Sequence, residues 1–309
     1  AVEAFRFATT SITLPLGLAY VSSALKARNF KVQIIDAVGN APEKRVGYYK
    51  GYLVGDSFSE TVNKINPSTS FIGITVVFTH EWPMVVKLID LIKDKYPEKK
   101  IVIGGEHVSA MPEFCLATSK ADFLIMGEGE ETIVELISLS RFDIKDKLKK
   151  IKGLGFRIAE KIYINERRQR RVNLDDISFP DWKSFKVKKY HENRFVGGMY
   201  SEKITIPILA TRGCPYQCTY CSAPNMWLPR WIPRDPIKVV DEIEFYKEKF
   251  KAYNFPFQDL TAIIKKDWIK TFCEEIIKRR LKITWQLPTG TRSEAIDDEI
   301  SDLLKKSGM

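Results

Sequence analysis

The chain has 309 residues, 44% of them hydrophobic, which is enough apolar material for substantial cores in about two domains of ~100–200 residues each. That size excludes a disulfide-stapled miniature scaffold, and five cysteines, an odd number, with no apolar run long enough to span a bilayer or to read as a signal segment, lead to the expectation of a reducing, cytoplasmic setting. A formal net charge of +10 permits an acidic partner, whether phosphate, anionic lipid surface or nucleic acid, but it bears on association rather than on fold.

The chain opens on Ala1 and closes on Lys305-Lys306-Ser307-Gly308-Met309, a helix stop, so the polypeptide is expected to continue beyond both ends. From Leu14 to Arg28 apolar residues recur at three- and four-residue spacing, with Pro15 suited to a first turn, and a helix is expected. Lys31 to Asp36 reads as a short strand. Phe71 to Phe78 is a continuous, β-branched run of the kind buried on both faces of a parallel sheet. A helix over about Trp82 to Lys95 ends near Pro97. A strand from Lys100 to Ile103, a helix around Pro112 to Thr118, a strand from Phe123 to Met126 and a helix from Glu131 to Leu139 follow.

Strand and helix alternate throughout, so residues 1–140 are expected to form an α/β domain with a doubly wound, Rossmann-like parallel sheet. In such sheets ligands sit beyond the carboxyl ends of the strands. Those ends carry Thr79-His80-Glu81, Gly104-Gly105-Glu106-His107 and Gly127-Glu128-Gly129-Glu130. Glycines there let the backbone approach a large ligand closely, although glycine after a strand is also ordinary turn chemistry.

Residues 141–203 change character and read as a linker. Gly153 to Ile158 and Lys161 to Asn165 alternate like a hairpin. The densest basic cluster, Arg167-Arg168-Gln169-Arg170-Arg171, is too short for a nucleic-acid arm and lacks interleaved aromatics, so no nucleic-acid partner is expected and a solvated hairpin edge is the reading. His191 and nearby aromatics are placed to line an entrance or simply to pack at the surface. Residues 204–309 then hold three βα repeats: strand Ile204 to Ala210 and helix Ile237 to Phe250, strand Asn254 to Gln258 and helix Lys266 to Arg279, strand Lys282 to Gln286 and helix Asp297 to Lys306.

Directly behind the first of these strands stands Thr211-Arg212-Gly213-Cys214-Pro215-Tyr216-Gln217-Cys218-Thr219-Tyr220-Cys221. Cysteines spaced by three and then two residues on a short loop can turn three sulfurs toward one point, which suggests a metal cluster. A structural zinc normally takes four protein ligands, usually from two separated Cys-x-x-Cys pairs, and no second pair exists here. Three thiolates on a four-iron cluster leave one iron open to a small molecule. Cys115 and Cys273 fall inside expected helices and read as buried small hydrophobes.

Cys-x3-Cys-x-aromatic-Cys, with Tyr220 as the aromatic, resembles the signature of the radical S-adenosylmethionine (SAM) enzymes. The resemblance implies a 4Fe-4S cluster on Cys214, Cys218 and Cys221, SAM on the open iron, and a 5′-deoxyadenosyl radical that abstracts hydrogen from an unactivated carbon. It also implies a partial (β/α) barrel of six repeats, a relative of the TIM barrel, of which this sequence covers the first half. By position within it, Asp259 is placed to accept hydrogen bonds from the SAM ammonium and Arg292 to pair with the SAM carboxylate.

The ordered set of strand ends in front of the cysteines resembles the cobalamin-binding domain of one class of these enzymes. Thr75-Val76-Val77 stands where that family has Ser-x-Leu, Gly104-Gly105 matches its glycine pair, and Gly127-Glu128-Gly129-Glu130-Glu131-Thr132 resembles the loop ending its last strand. Ile177 to Trp182 resembles the linker entering the barrel. Phe7 to Gly17 lacks the Asp-x-His-x-x-Gly that supplies a lower cobalt ligand in domains of the methionine synthase type, which leaves His80 as the candidate replacement and His107 as a pocket-lining residue.

The resemblance therefore implies a cobalamin-dependent radical SAM methyltransferase acting on a poorly activated carbon through methylcobalamin. The alternative is a non-methylating enzyme of the same architecture, a cyclase, ring-contracting or oxidative enzyme, with or without bound cobalamin. An iron–sulfur electron carrier would fit the cysteines but leaves the paired α/β domains unexplained. Expected partners are a small-molecule or lipid substrate, an external one-electron donor of flavodoxin or ferredoxin type, and, on charge, a peripheral membrane contact.

Overall fold

The structure is a computed structural model and describes residues 2–4, 12–48, 51–139 and 145–309. It falls into two units, one formed mainly by Gly17–Arg170 with Pro180–Ser184, the other mainly by Phe185–Met309 with Arg171–Phe179.

In the first unit the chain runs β1 (Val2–Ala4), α1 (Leu16–Lys26), α2 (Ala37–Asn40), β2 (Arg45–Tyr48), β3 (Gly51–Val54), α3 (Phe58–Asn63), β4 (Phe71–Thr75), α4 (Trp82–Lys95), β5 (Lys100–Gly104), α5 (Glu106–Ala110), α6 (Pro112–Ala117), β6 (Phe123–Ile125), α7 (Gly129–Ile137), α8 (Lys145–Leu148), β7 (Leu154–Ile158) and β8 (Lys161–Ile164). The main sheet has the order β4-β5-β6-β7-β8, in which β4, β5 and β6 are parallel and β7 and β8 antiparallel.

Period-two alternation along β5 explains why this strand is central. Ile101 and Ile103 enter a core with Ile89, Ile92, Cys115 and Leu116 from α4 and α6, whereas Val102 enters a core with Leu25, Ile133, Leu136 and Leu148 from α1, α7 and α8. Both faces are thus covered, as a parallel sheet requires.

Three expectations are corrected in this unit. The hairpin β7–β8 is no free connector, because β7 pairs with β6 and its Phe156 is fully buried in the shared core, so the sheet extends past the expected boundary at residue 140. Phe71 to Phe78 is not buried on both faces. Beyond β5 no further ladder covers β4 among the described residues; β4 is only half buried, and Val77 and Phe78 leave the sheet exposed. Lys31 to Asp36 forms no recorded ladder, yet Val32 and Ile35 pack on opposite cores, as an extended segment would place them. The antiparallel sheet β1-β3-β2 has no counterpart in the sequence reading. Most of Phe7 to Gly17 cannot be compared, since residues 5–11 lie outside the described residues.

The second unit runs α9 (Val187–Glu192), β9 (Ile204–Thr205), β10 (Thr211–Arg212), α10 (Ala223–Trp227), β11 (Ile232–Pro233), α11 (Pro236–Phe250), β12 (Ala252–Pro256), α12 (Lys266–Lys278), β13 (Thr284–Gln286) and α13 (Asp298–Lys306). The parallel order β13-β12-β9 with α11, α12 and α13 between and after the strands gives the three expected βα repeats. Asp235 caps α11 through Ile237 N with Pro236 in the first turn, and Asp297 caps α13 through Ile300 N, so both starts follow ordinary capping chemistry. Phe257, Phe272 and Trp285 interlock edge-on behind the sheet, with centroids 5.5 and 5.3 Å apart. Among the described residues no helix is long and apolar enough to cross a membrane.

Candidate functional site

The carboxyl ends of β4, β5 and β6 lie side by side in register, with Thr75 opposite Gly104 and Gly104 opposite Ile125. Gly105 has φ +123°, and a Cβ there would sit 2.4 Å from the Val76 carbonyl oxygen, so only glycine lets the chain turn off β5 at this point. Ser109 then ties two strand ends together, donating from Oγ to the Gly105 carbonyl at 2.9 Å and accepting from Gly127 N at 2.8 Å.

Of the residues expected to face a ligand here, Thr75, His80 and Gly127 are exposed, and Gly104, Gly105, Glu128 and Gly129 are half-buried. His80 stacks on Phe78 at 5.5 Å. Val76 is a correction: its side chain is fully buried in the core and its N–H is held by the Gly104 carbonyl, so it shapes the loop from behind. His107 is buried against Trp82 and Phe114, with Nδ1 3.1 Å from Thr79 Oγ1 and Nε2 without a partner, and burial pushes its pKa down. An orphaned imidazole nitrogen behind a strand-end surface exposing Val77, Phe78 and Met111 fits a large, mostly apolar ligand with a few polar groups.

The basic run is no solvated edge. Arg168 pairs with Glu131 and Glu135 at 3.1 and 2.6 Å, Arg170 with Glu128 at 3.3 Å, and Arg167 donates to the Ser109 carbonyl at 2.8 Å. These arginines brace the loops after β5 and β6. The glutamates of the Gly127–Thr132 loop, with Glu135 just beyond it, were the sequence signal for that task.

In the second unit the cysteine loop leaves the strand line of β9 and is framed by the hairpin β10–β11, whose partners are Thr211 with Pro233 and Arg212 with Ile232. Asp259, 1% exposed, accepts from the backbone N–H groups of Ala210 and Thr211, the two residues entering the loop. With these two bonds the carboxylate holds the strand end. Burial pushes its pKa up to about 6 although both amides and Arg234 favour the charged form. Arg234, itself buried, donates to Glu242 and to the Leu209 carbonyl, and Tyr246 donates to the same Glu242 at 2.6 Å.

Cys214, Cys218 and Cys221 are free thiols on a half-exposed loop, whereas Cys115 and Cys273 are buried, with thiol pKa values pushed by burial to about 11. Cys221 Sγ accepts from Ala223 N at 3.4 Å, and Cys218 Sγ from Arg292 Nη2 at 3.7 Å. Tyr220 is 91% exposed. Among the described residues no group of three His, Cys, Asp or Glu side chains is placed to hold a single metal ion. Cysteines of a four-iron cluster each take a different iron, and three accessible thiols with nearby N–H donors are the donor set such a cluster uses.

Gln258 and Gln286, just after β12 and at the end of β13, were read from sequence only as strand ends. Gln258 Nε2 donates to the Gly197 carbonyl at 3.2 Å, while Gln286 accepts from Met199 N at 2.7 Å and donates to its carbonyl at 3.0 Å. They fasten the segment 197–199 to the strand ends. His191, read from sequence as lining an entrance or simply packing at the surface, stacks on Tyr200 at 5.5 Å.

Residues 6–137 match the family described as B12 binding domain. The cytidylyl-2-hydroxyethylphosphonate methyltransferase of Streptomyces wedmorensis is 24% identical over 98% of this chain and 61% of its own length. An anaerobic magnesium-protoporphyrin IX monomethyl ester cyclase of Rubrivivax gelatinosus is 28% identical over 96% of this chain and 50% of its own length. The radical S-adenosylmethionine methyltransferase TsrM of Kitasatospora setae, solved with cobalamin and a 4Fe-4S cluster, superposes with a TM-score of 0.70 at 17% identity, over 97% of this chain and 57% of that one. The chain thus spans about half to three-fifths of the length of these relatives.

Proposed function

We infer that this chain, which joins a B12-binding domain to the opening βα repeats of a radical SAM barrel, works as a cobalamin-dependent radical SAM enzyme, a methyltransferase acting on a poorly activated carbon. The observation that carries the reading is the loop of three free cysteines directly after β10, where the chain has run on past the carboxyl end of β9, the side on which βα architectures gather their chemistry. The B12 binding domain match over residues 6–137 supports the second cofactor.

When bound, the cluster and SAM supply a carbon-centred radical and cobalamin supplies a transferable methyl group. The protein's own tasks are positional. Cys214, Cys218 and Cys221 hold the iron, with Tyr220 exposed between the last two. Asp259 fixes the strand end from which the loop departs, and Gly105 and Ser109 keep the ends of β4, β5 and β6 in one surface for a corrin, with Thr75, His80, Gly104, His107, Gly127, Glu128 and Gly129 around it. A small-molecule or lipid substrate, an external one-electron donor of flavodoxin or ferredoxin type, and a cytoplasmic location belong to the same reading. The accessible free thiols suit a reducing compartment.

A second reading, a non-methylating enzyme of the same build, is favoured by the cyclase relative that matches 96% of this chain. Anaerobic reconstitution of the chain with iron, sulfide and hydroxocobalamin, followed by desalting and quantitation, tests both. One corrin with about four irons is expected, with label from methyl-labelled SAM recovered in the corrin fraction. Iron without corrin, or corrin that never takes label, hands the chain to the second reading. Absence of iron, or equal iron in the Cys218→Ala variant, ends both.

A further inference from the structure

The loop after β13 is pinned to the loop after β12 by two threonines. Thr289 Oγ1 donates to the Asp259 carbonyl, and Thr291 Oγ1 lies 3.2 Å from both the N–H nitrogen and the carbonyl oxygen of Ile263. The next residue, Arg292, is thereby carried over the cysteine loop. Its guanidinium lies 4.1 Å from the centroid of the Tyr216 ring, its Nη2 donates to Cys218 Sγ at 3.7 Å, and its Nη1 is 3.3 Å from Glu294. Tyr216 stands between Cys214 and Cys218 in the chain, so a cation stacked on its ring restrains the loop while the same cation faces a sulfur. In this arrangement the arginine faces the cysteine loop.

We propose that Arg292 is a positioning residue for the cluster ligand Cys218, holding the cysteine loop through Tyr216 and making the bound cluster easier to reduce by placing a positive charge and an N–H donor on that thiolate. The proposal rests on the iron–sulfur reading of the loop. Reduction adds one electron to the cluster, supplied in the test by a chemical reductant, and an adjacent cation stabilises the more negative, reduced form. Hydrogen bonds to cluster sulfurs and local charge are among the factors that set such potentials. Glu294 opposes the effect by sharing the guanidinium. Because the Arg292 side chain is 45% exposed, solvent weakens both influences.

The test is a reductive titration of the reconstituted, SAM-free full chain, followed by electron paramagnetic resonance, for the wild type and for Arg292→Met, Arg292→Lys and Glu294→Gln. Arg292→Met is expected to make reduction about tenfold less favourable, a shift of about 59 mV to lower potential for a one-electron couple. Arg292→Lys keeps the charge and restores part of the shift, and Glu294→Gln moves the potential the opposite way. An unchanged potential in Arg292→Met overturns the proposal, and if SAM affinity falls in that same variant the arginine belongs to the SAM carboxylate after all. Should Arg292→Met fail to fold, Glu294→Gln decides, and no rise in its potential overturns the proposal. A wild-type chain that takes up no iron defeats the iron–sulfur reading itself, whereas a four-iron cluster with an indifferent potential defeats the arginine's role alone.

Discussion

A carboxylate that faces two backbone N–H groups and almost no water holds the strand end ahead of the cysteine loop, and its protonation is written into the stability of the fold. Burial lifts the pKa of Asp259 to about 6, above the ~3.9 of an unfolded aspartate. The folded state therefore binds this proton more tightly than the unfolded chain does. The stabilisation it brings is complete below about pH 4 and is lost as pH rises through about 6. A difference of about two pKa units corresponds to ~3 kcal/mol, an upper bound given the opposing amide donors. Urea denaturation of the wild type and Asp259→Asn at intervals from pH 4 to 7 should show the wild type losing stability more steeply; parallel curves would mean that Asp259 does not titrate in that window. At this scale the cysteines were readable because their chemistry lies in their spacing. The partners of Asp259 and Arg292 were not, since Thr211 lies 48 and Cys218 lies 74 positions away in sequence, and no local pattern announces such meetings.

The elements around the loop are held by one buried ionic network. Arg234 begins the turn into α11, donates to Glu242 one face along that helix, and takes the Trp268 indole N–H on its carbonyl at 2.7 Å, while its own N–H closes on the Ala210 carbonyl at 2.9 Å. Its side chain is 7% exposed and that of Glu242 1%. Removing Glu242 leaves the buried Arg234 with the more distant Asp175, at 3.6 Å, so Glu242→Ala should cost up to ~3–5 kcal/mol, and the double variant Arg234→Met/Glu242→Leu less than that single change. Denaturant midpoints of the three chains check the order; a single variant within ~1 kcal/mol of wild type would show that water reaches the pair. Helices with periodic apolar faces, such as α4, α11 and α12, were legible in position from sequence. The hairpin β7–β8 was legible as a hairpin but not as part of the sheet. Alternation marks the pairing of its two strands with each other, whereas the attachment of β7 to β6 depends on Phe156 finding the core shared with Phe123 and Ile125. The small sheet β1-β3-β2 escaped because its β2 carries only a half-buried to exposed alternation, without a run of apolar residues to announce it.

Each of the two units has its own core and its own candidate cofactor residues, and that division makes the whole molecule separable by experiment. The strand-end surface of the first unit depends on Gly105, where any Cβ would collide with the Val76 carbonyl at 2.4 Å and where φ +123° excludes other residues without strain. Gly105→Leu should therefore distort the junction of β4 and β5, and with it the surface proposed for the corrin, while leaving the cysteine loop in the second unit untouched. The triple variant Cys214→Ala/Cys218→Ala/Cys221→Ala should do the reverse, since none of these thiols contributes to either core of the first unit. Reconstitution of both variants with iron, sulfide and hydroxocobalamin gives the expected pattern directly: iron at the wild-type level with corrin reduced at least tenfold in Gly105→Leu, and corrin at the wild-type level with iron absent in the triple variant. Circular dichroism on each variant confirms that the untouched unit is folded. Loss of corrin in the triple variant would mean that corrin uptake requires the cluster ligands, and undiminished corrin in Gly105→Leu would place the ligand surface away from the ends of β4 and β5.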